Sequence, residues 1–291
     1  MEMLETNSSL MNTICVLPSE RAGVFLKEEL KKQIIGTQFV PQIISIEKFI
    51  ENISGFQKEE PVTLLFEFYS VYKNIEKITA ENFDAFAQWA TTALQDFNEL
   101  DRHLIDNEDL FSYLKDIKRI ESWNVDSLDD TSEIVGNHLG FMENLGKYYF
   151  AFYEFLKSEK KGYQGLLYRE AALNIEDFIT ANKDANIRLI GFNALNKSEE
   201  VIFKKLLDSG LANIYWDSDE YYVHSKKEAG RFLRKYKSDW SYFTAHPFNK
   251  ISSNFLSKKK ITEIAASKNI TQIKGVGELL SKLESNENTA L

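Results

Sequence analysis

The stretch TICVLPSERAGVFLKEEL, Thr13 to Leu30, decides the fold. Residues 13–18 form a continuous apolar run ending at Pro18, the pattern of a strand buried on both faces. Ser19 is placed to cap a following helix, and Glu20 falls in its first turn, where a negative charge meets unpaired backbone N–H groups. Val24, Leu26, Leu30 and Ile34 then share one helical face, and Gly36 ends the helix. Strand, short loop and helix open a nucleotide-binding α/β domain. The loop itself, PSERAG, lacks the parts that hold a nucleotide. A phosphate loop needs several backbone N–H groups in a glycine-rich arc and a lysine near the outer phosphates. Here Gly23 stands alone, one turn into the helix.

Working outward, PQIISI (41–46) reads as a second short strand, and Ser45 opens the helix IEKFIENI. From Pro61 to about residue 181 the reading is helical. Pro61 sits at a helix start, Asn82 caps the next helix, and Phe83, Phe86, Ala90, Leu94 and Phe97 line one face of it. A shorter helix follows over 106–118 and a polar crossing segment over 119–132. A long helix then runs from Glu133 or Gly140 to Lys157, and another from Gly165 to Ala181. The α/β rhythm resumes with the strand IRLIGF (187–192), a helix over 197–210 closed by Gly210, and the strand ANIYWD (212–217). ITEIAAS (261–267) reads as a further strand, and the terminal GVGELLSKLES as a glycine turn leading into a helix.

Each strand group alone has too few strands for a good sheet. One parallel sheet interrupted by a helical insertion accounts for both. The expected division is an α/β domain over 13–60 and 182–291, a helical subdomain over 61–181, and a disordered N-terminus over 1–12. Twenty-one phenylalanines and thirteen tyrosines supply large buried areas for the helical part.

The formal net charge of −9 does not steer the chain as a whole toward phosphate backbones. The one cysteine, Cys15, lies inside the first strand and reads as a small buried hydrophobe, which fits a reducing compartment. No run of eighteen apolar residues exists and the first twelve residues lack a signal-peptide pattern, so the expectation is a cytoplasmic protein without a membrane partner.

Two places carry candidate chemistry. Ser19 and Arg21 lie at a helix N-terminus, where anions are favoured, so they are candidates for an anion or DNA contact; the alternative is a cap plus a surface arginine. Asp217, Asp219 and Glu220 follow a strand directly, where α/β ligand sites form; the alternative is that they cap the next turn. Asp96, Glu99 and Asp101 read as a solvated helix end. His103, His138, His224 and His246 show no ligand spacing, and no nucleophile turn is present. No catalytic, cofactor-binding or metal-binding residue is assigned.

LPSERAGVFLKEEL, PQIISIEKFI, LLFEFYSVY and FDAFAQWATTALQDFNELDRHLID together resemble the N-terminal region of AddB-like proteins of Bacteroidetes-type bacteria. These are large helicase-nucleases of the PD-(D/E)XK nuclease family, related to the AddB and RecB families of DNA double-strand break repair. The resemblance covers nearly the whole chain. It implies a degenerate RecA-like, UvrD-type parallel sheet with a large inserted helical subdomain. In active relatives a strand ends in an Asp-Glu pair that holds Mg²⁺. In the similar segment LIGFNALNKSEE, Ile190 and Gly191 occupy those positions. The next helicase motif resembles WDSDEYY, with Asp217 at its aspartate and Glu220 where a phosphate-sensing glutamine stands.

The resemblance therefore implies a non-catalytic, helicase-like scaffold that guides DNA and works with a helicase-nuclease partner subunit. Mg²⁺ and the nuclease residues belong to a domain beyond residue 291, and the chain resembles the N-terminal part of a longer protein. The alternatives are an ATP-dependent helicase domain with divergent motifs and a protein–protein interaction module without DNA binding.

Overall fold

A computed structural model of the chain describes residues 12–33, 39–114, 132–224, 226–246, 248, 251–259, 261 and 263–282, with the backbone alone over 132–143. The chain divides by compactness into two units, Met1–Ser252 and Ser253–Leu291, each considered by itself. Most of residues 1–12, the expected disordered segment, and Gly36 and most of 119–132 lie outside the described residues.

The first unit opens with β1 (Thr13–Leu17), α1 (Glu20–Gln33), β2 (Gln42–Ser45) and α2 (Ile46–Ser54). It closes with β5 (Asn186–Phe192), α9 (Lys197–Asp208), β6 (Ala212–Trp216), α10 (Glu220–Val223), α11 (Arg231–Asp239) and α12 (Tyr242–Ala245). The four strands form one parallel sheet in the order β2-β1-β5-β6. Thr13 pairs with Asn186 and Val16 with Leu189, so strands 173 residues apart are hydrogen-bonded neighbours. β1 is an interior strand, and Cys15, Val16 and Leu17 are buried, as their unbroken apolar run requires. Burial also raises the Cys15 thiol pKa to about 11, which keeps it protonated at neutral pH.

Between α2 and β5 lies the helical block. It comprises β3 (Gln57–Lys58), α3 (Pro61–Glu76), α4 (Phe83–Arg102), α5 (107–114), α6 (Ser132–Ser158), β4 (Lys161–Gly162), α7 (Gln164–Leu173) and α8 (Ile175–Ala181). Asn82 caps α4 by accepting from the Ala85 N–H at 3.0 Å. The core of the block is aromatic. Phe68 packs 4.9 Å from Phe152, 5.2 Å from Phe86 and 5.7 Å from Phe97, centroid to centroid. That core is continuous with the sheet's: α2 and α7 bring Phe49, Ile50, Leu166 and Leu167 into one cluster with Ile202, Phe203 and Leu206 of α9.

Three local expectations need correction. The helix expected over Gly165–Ala181 is broken into α7 and α8 at Asn174, whose backbone (φ −90°, ψ 3°) leaves the helical region. Asn competes for local backbone hydrogen bonds and so favours such breaks. ITEIAAS forms no strand among its described residues; they are exposed, with no sheet edge paired to them. The glycines of GVG do not precede the last helix but lie within α13 (Asn269–Ser281). No helix among the described residues is long and apolar enough to cross a membrane. The fold is thus a mixed α/β one, a parallel sheet with a large helical block.

Candidate functional site

In an open parallel sheet, ligands bind outside the carboxyl ends of the strands, where successive connections leave in opposite directions. That switch point falls between β1 and β5, because β1 leads to β2 on one side and β5 leads to β6 on the other. Pro18, which has no N–H, follows β1 there. Opposite it, Gly191 has φ +80° at a β-bulge between Ile190 and Phe192, and a Cβ on Gly191 would stand 3.7 Å from the Pro18 Cδ. The open left-handed backbone favours glycine at 191, and the crevice floor presents a proline ring rather than backbone donors.

Each helix that follows a strand is capped by a residue of its own turn. The Ala22 N–H donates to the Ser19 Oγ at 3.2 Å, after a two-residue turn of Pro18 and Ser19. The Lys48 N–H donates to the Ser45 Oγ at 3.4 Å, with no residue between β2 and α2. The Glu199 N–H donates to the Asn196 Oδ1 at 2.9 Å, while the Glu199 Oε2 accepts from the Asn196 N–H at 3.0 Å, a full capping box. The Tyr221 N–H donates to the Asp219 Oδ1 at 3.0 Å. Anion sites at helix starts use these same N–H groups.

The sequence candidates therefore have the following places. Ser19 is a cap, and Arg21 is exposed, with its guanidinium 5.8 Å from the Phe25 ring centroid. Asp217 is exposed, and its N–H donates to the Phe192 carbonyl at 3.0 Å. Asp219 is buried; besides capping α10 it accepts from the Ser252 Oγ at 3.1 Å. Glu220 is exposed, and its N–H donates to the Ser252 carbonyl at 2.8 Å. Asp219 and Glu220 thus anchor the strand-end turn to Ser252. Among the described residues no group of three or more His, Cys, Asp or Glu could hold a metal ion.

The helical block meets this edge through a polar seam. The Ser198 Oγ donates to the Arg102 carbonyl at 2.8 Å, and the Tyr168 Oη donates to the Glu199 Oε1 at 3.2 Å. The Arg102 guanidinium lies 5.6 Å from the Tyr168 ring centroid. Burial pushes the Glu199 carboxyl above its ordinary value, opposed by the Asn196 N–H, the Tyr168 hydroxyl and the Arg102 charge, with Glu47 adding repulsion.

One residue is placed quite differently from the expectation. Asp101 is fully buried rather than part of a solvated helix end. It accepts from the Arg169 Nε at 2.7 Å, the Tyr149 Oη at 2.5 Å, the Tyr163 Oη at 2.5 Å and the Asn107 Nδ2 at 3.2 Å. Arg169 also donates to the carbonyls of Leu100 (3.2 Å) and Ile105 (2.6 Å), closing the end of α4. Burial, then the Asp101 charge, raises the Tyr149 and Tyr163 hydroxyl pKa values well above the ordinary tyrosine value. The alternation of phenylalanine and alanine on α4 carried the signal: Phe86, Ala90, Ala93, Phe97 and Asp101 fall on one helical stripe, all buried. The network is dry and already paired, so it locks the block together. Compared with protein-family models and with curated proteins, the chain matches none.

Proposed function

We propose that the chain is a non-catalytic, helicase-shaped scaffold that supports or guides DNA in an end-processing helicase-nuclease. The observation that carries this reading is the closed carboxyl edge of the sheet. A phosphate-wrapping loop spans about eight residues between strand and helix. The turns after β1, β2, β5 and β6 hold two, none, four and three residues, and the caps on their own residues use the N–H groups a phosphate would need. Ile190 and Gly191, at the end of β5, bring no carboxylate to the switch point.

The shared core of block and sheet supports the same reading from another side. Nucleotide-driven motors move one body against another, whereas here α2, α7 and α9 pack in one hydrophobic cluster sealed by the Ser198–Arg102 and Tyr168–Glu199 bonds. A RecA-like, UvrD-type ancestry fits a parallel α/β sheet that kept its shape and lost its loop.

The test is fluorescence anisotropy of a duplex with a single-stranded tail, titrated with the full chain at several salt concentrations. Binding should weaken with salt, and Arg21→Ala should weaken it and reduce the salt slope by about one. No binding at low salt would remove DNA from the reading. Binding that Arg21→Ala leaves unchanged in both respects would remove Arg21.

A further inference from the structure

The second unit, Ser253–Leu291, carries a helix that buries nothing of its own. In α13, Ile270, Ile273, Val276, Leu279 and Leu280 fall on one half of the helix circumference, and Lys274, Glu278 and Ser281 on the other. Ile270, Ile273, Val276 and Leu279 are 40–67% exposed, and no residue of the helix is buried. Gly277 sits at the border of the apolar half, and a Cβ there would meet no atom within 4 Å, so another backbone can approach closely. A short helix gains most of its stability from packing an amphipathic face, so this face calls for an occupant.

The first unit has a groove of matching form. A cavity of about 690 Å³ lies between α3 and α4, with Val62, Leu64, Leu65 and Leu94 among its lining residues and Glu59 and Glu99 among its charged ones. Val62 is 66% exposed. The α4 wall from Thr91 to Asn98 covers seven residue steps, about 10 Å at the helical rise. The apolar positions Ile273, Val276 and Leu280 span the same seven steps along α13, the spacing of a helix that fills a groove.

Charge selects the partner. Ser253–Leu291 holds six lysines and four glutamates and no other charged side chain apart from the chain end, a balance of +2. With −9 for the whole chain, that leaves −11 on residues 1–252. A basic helix and an acidic-rimmed groove on the same sequence attract when they belong to two copies. We propose that the chain forms a reciprocal two-fold dimer in which α13 of one copy seats in the α3–α4 groove of a second copy. The apolar half of α13 carries β-branched and leucine side chains and a glycine but no aromatic residue, which suits a protein groove better than a lipid surface.

Sedimentation equilibrium of the full chain tests this. The mass should rise reversibly with concentration from 33.7 kDa toward twice that value. Ile273→Asp on the helix and Val62→Lys in the groove, both at exposed positions, should each weaken association about tenfold or more, with circular dichroism unchanged. An equimolar mixture of the two variants should associate more tightly than either alone, because the intact helix of one meets the intact groove of the other. A chain that stays monomeric at every concentration overturns the proposal. So does a dimer that only one of the variants weakens, or a mixture no tighter than its parts. Capture of the wild type on phosphatidylserine vesicles, lost in Ile273→Asp while the chain remains monomeric, would assign the face to a bilayer instead.

Discussion

Replacing Asp101 with alanine tests the buried network that locks the helical block. The substitution removes the acceptor of four donors, from Arg169, Tyr149, Tyr163 and Asn107. The Arg169 guanidinium, whose side chain is 17% exposed, is left among apolar neighbours with two carbonyls but no counter-charge. Breaking a buried pair by removing one partner costs about 3–5 kcal/mol. A loss near 4 kcal/mol is a large part of the roughly 5–15 kcal/mol that holds a typical domain folded. At about 2–4 °C per kcal/mol for a body of this size, the melting temperature should fall by about 8–16 °C. Asp101→Asn keeps one acceptor oxygen and the shape, so a loss nearer 2 kcal/mol is expected, and it gives a readable result if the alanine variant does not fold. Differential scanning calorimetry or urea unfolding reads both. The double variant Asp101→Ala/Arg169→Ala should lose at least 1 kcal/mol less than the sum of the singles, because the two groups are in contact. An alanine variant within about 1 kcal/mol of wild type, or strictly additive singles, would refute the buried-hub account.

Three other perturbations follow from the same geometry. Tyr149 and Tyr163 have folded-state pKa values raised above the ordinary 10.0, so their contribution is complete below pH 10 and is lost as pH rises from there. Alkaline unfolding monitored by circular dichroism should steepen above pH 10, and Tyr163→Phe should flatten it; a profile level beyond pH 11 contradicts this. Glu199 is held above its ordinary 4.5 chiefly by burial, so it favours the fold when protonated and loses that contribution as pH rises through the folded value. Glu199→Gln should therefore leave stability at neutral pH unchanged or raised by up to about 1 kcal/mol; a loss above about 2 kcal/mol would mean that the charge itself holds the seam. A Cβ on Gly165 would stand 2.0 Å from the Asn98 carbonyl oxygen, so Gly165→Ala should cost about 3 kcal/mol in urea unfolding by forcing α7 away from α4. A near-neutral result would show that the two helices cross at a greater distance.

Much of the α/β part was legible because its signals are local. The apolar run at 13–17, the caps Ser19, Ser45 and Asn82, and the positive-φ Gly210 each depend on neighbours in sequence. The pairing of Thr13 with Asn186 is not local, and it followed only from the argument that two strands alone make a poor sheet. Asp101 was misread because composition outweighed period. Four polar or acidic letters in DFNELD suggested solvent, while the fifteen-residue stripe from Phe86 placed the carboxylate inside. Its partners could not be read from the sequence, since Tyr149, Tyr163 and Arg169 arrive from other helices 48 to 68 residues away. ITEIAAS shows the converse: β-branched residues make a strand only where a sheet edge receives them.

The closed carboxyl edge is the centre of the account, and titration calorimetry of the full chain with Mg²⁺·ATP tests it most directly. Four self-capped turns and a proline at the switch point predict a flat isotherm, with no hydrolysis above background in the presence of DNA. Saturable heat with a stoichiometry near one would mean that the edge opens to a nucleotide, and the scaffold reading would fail.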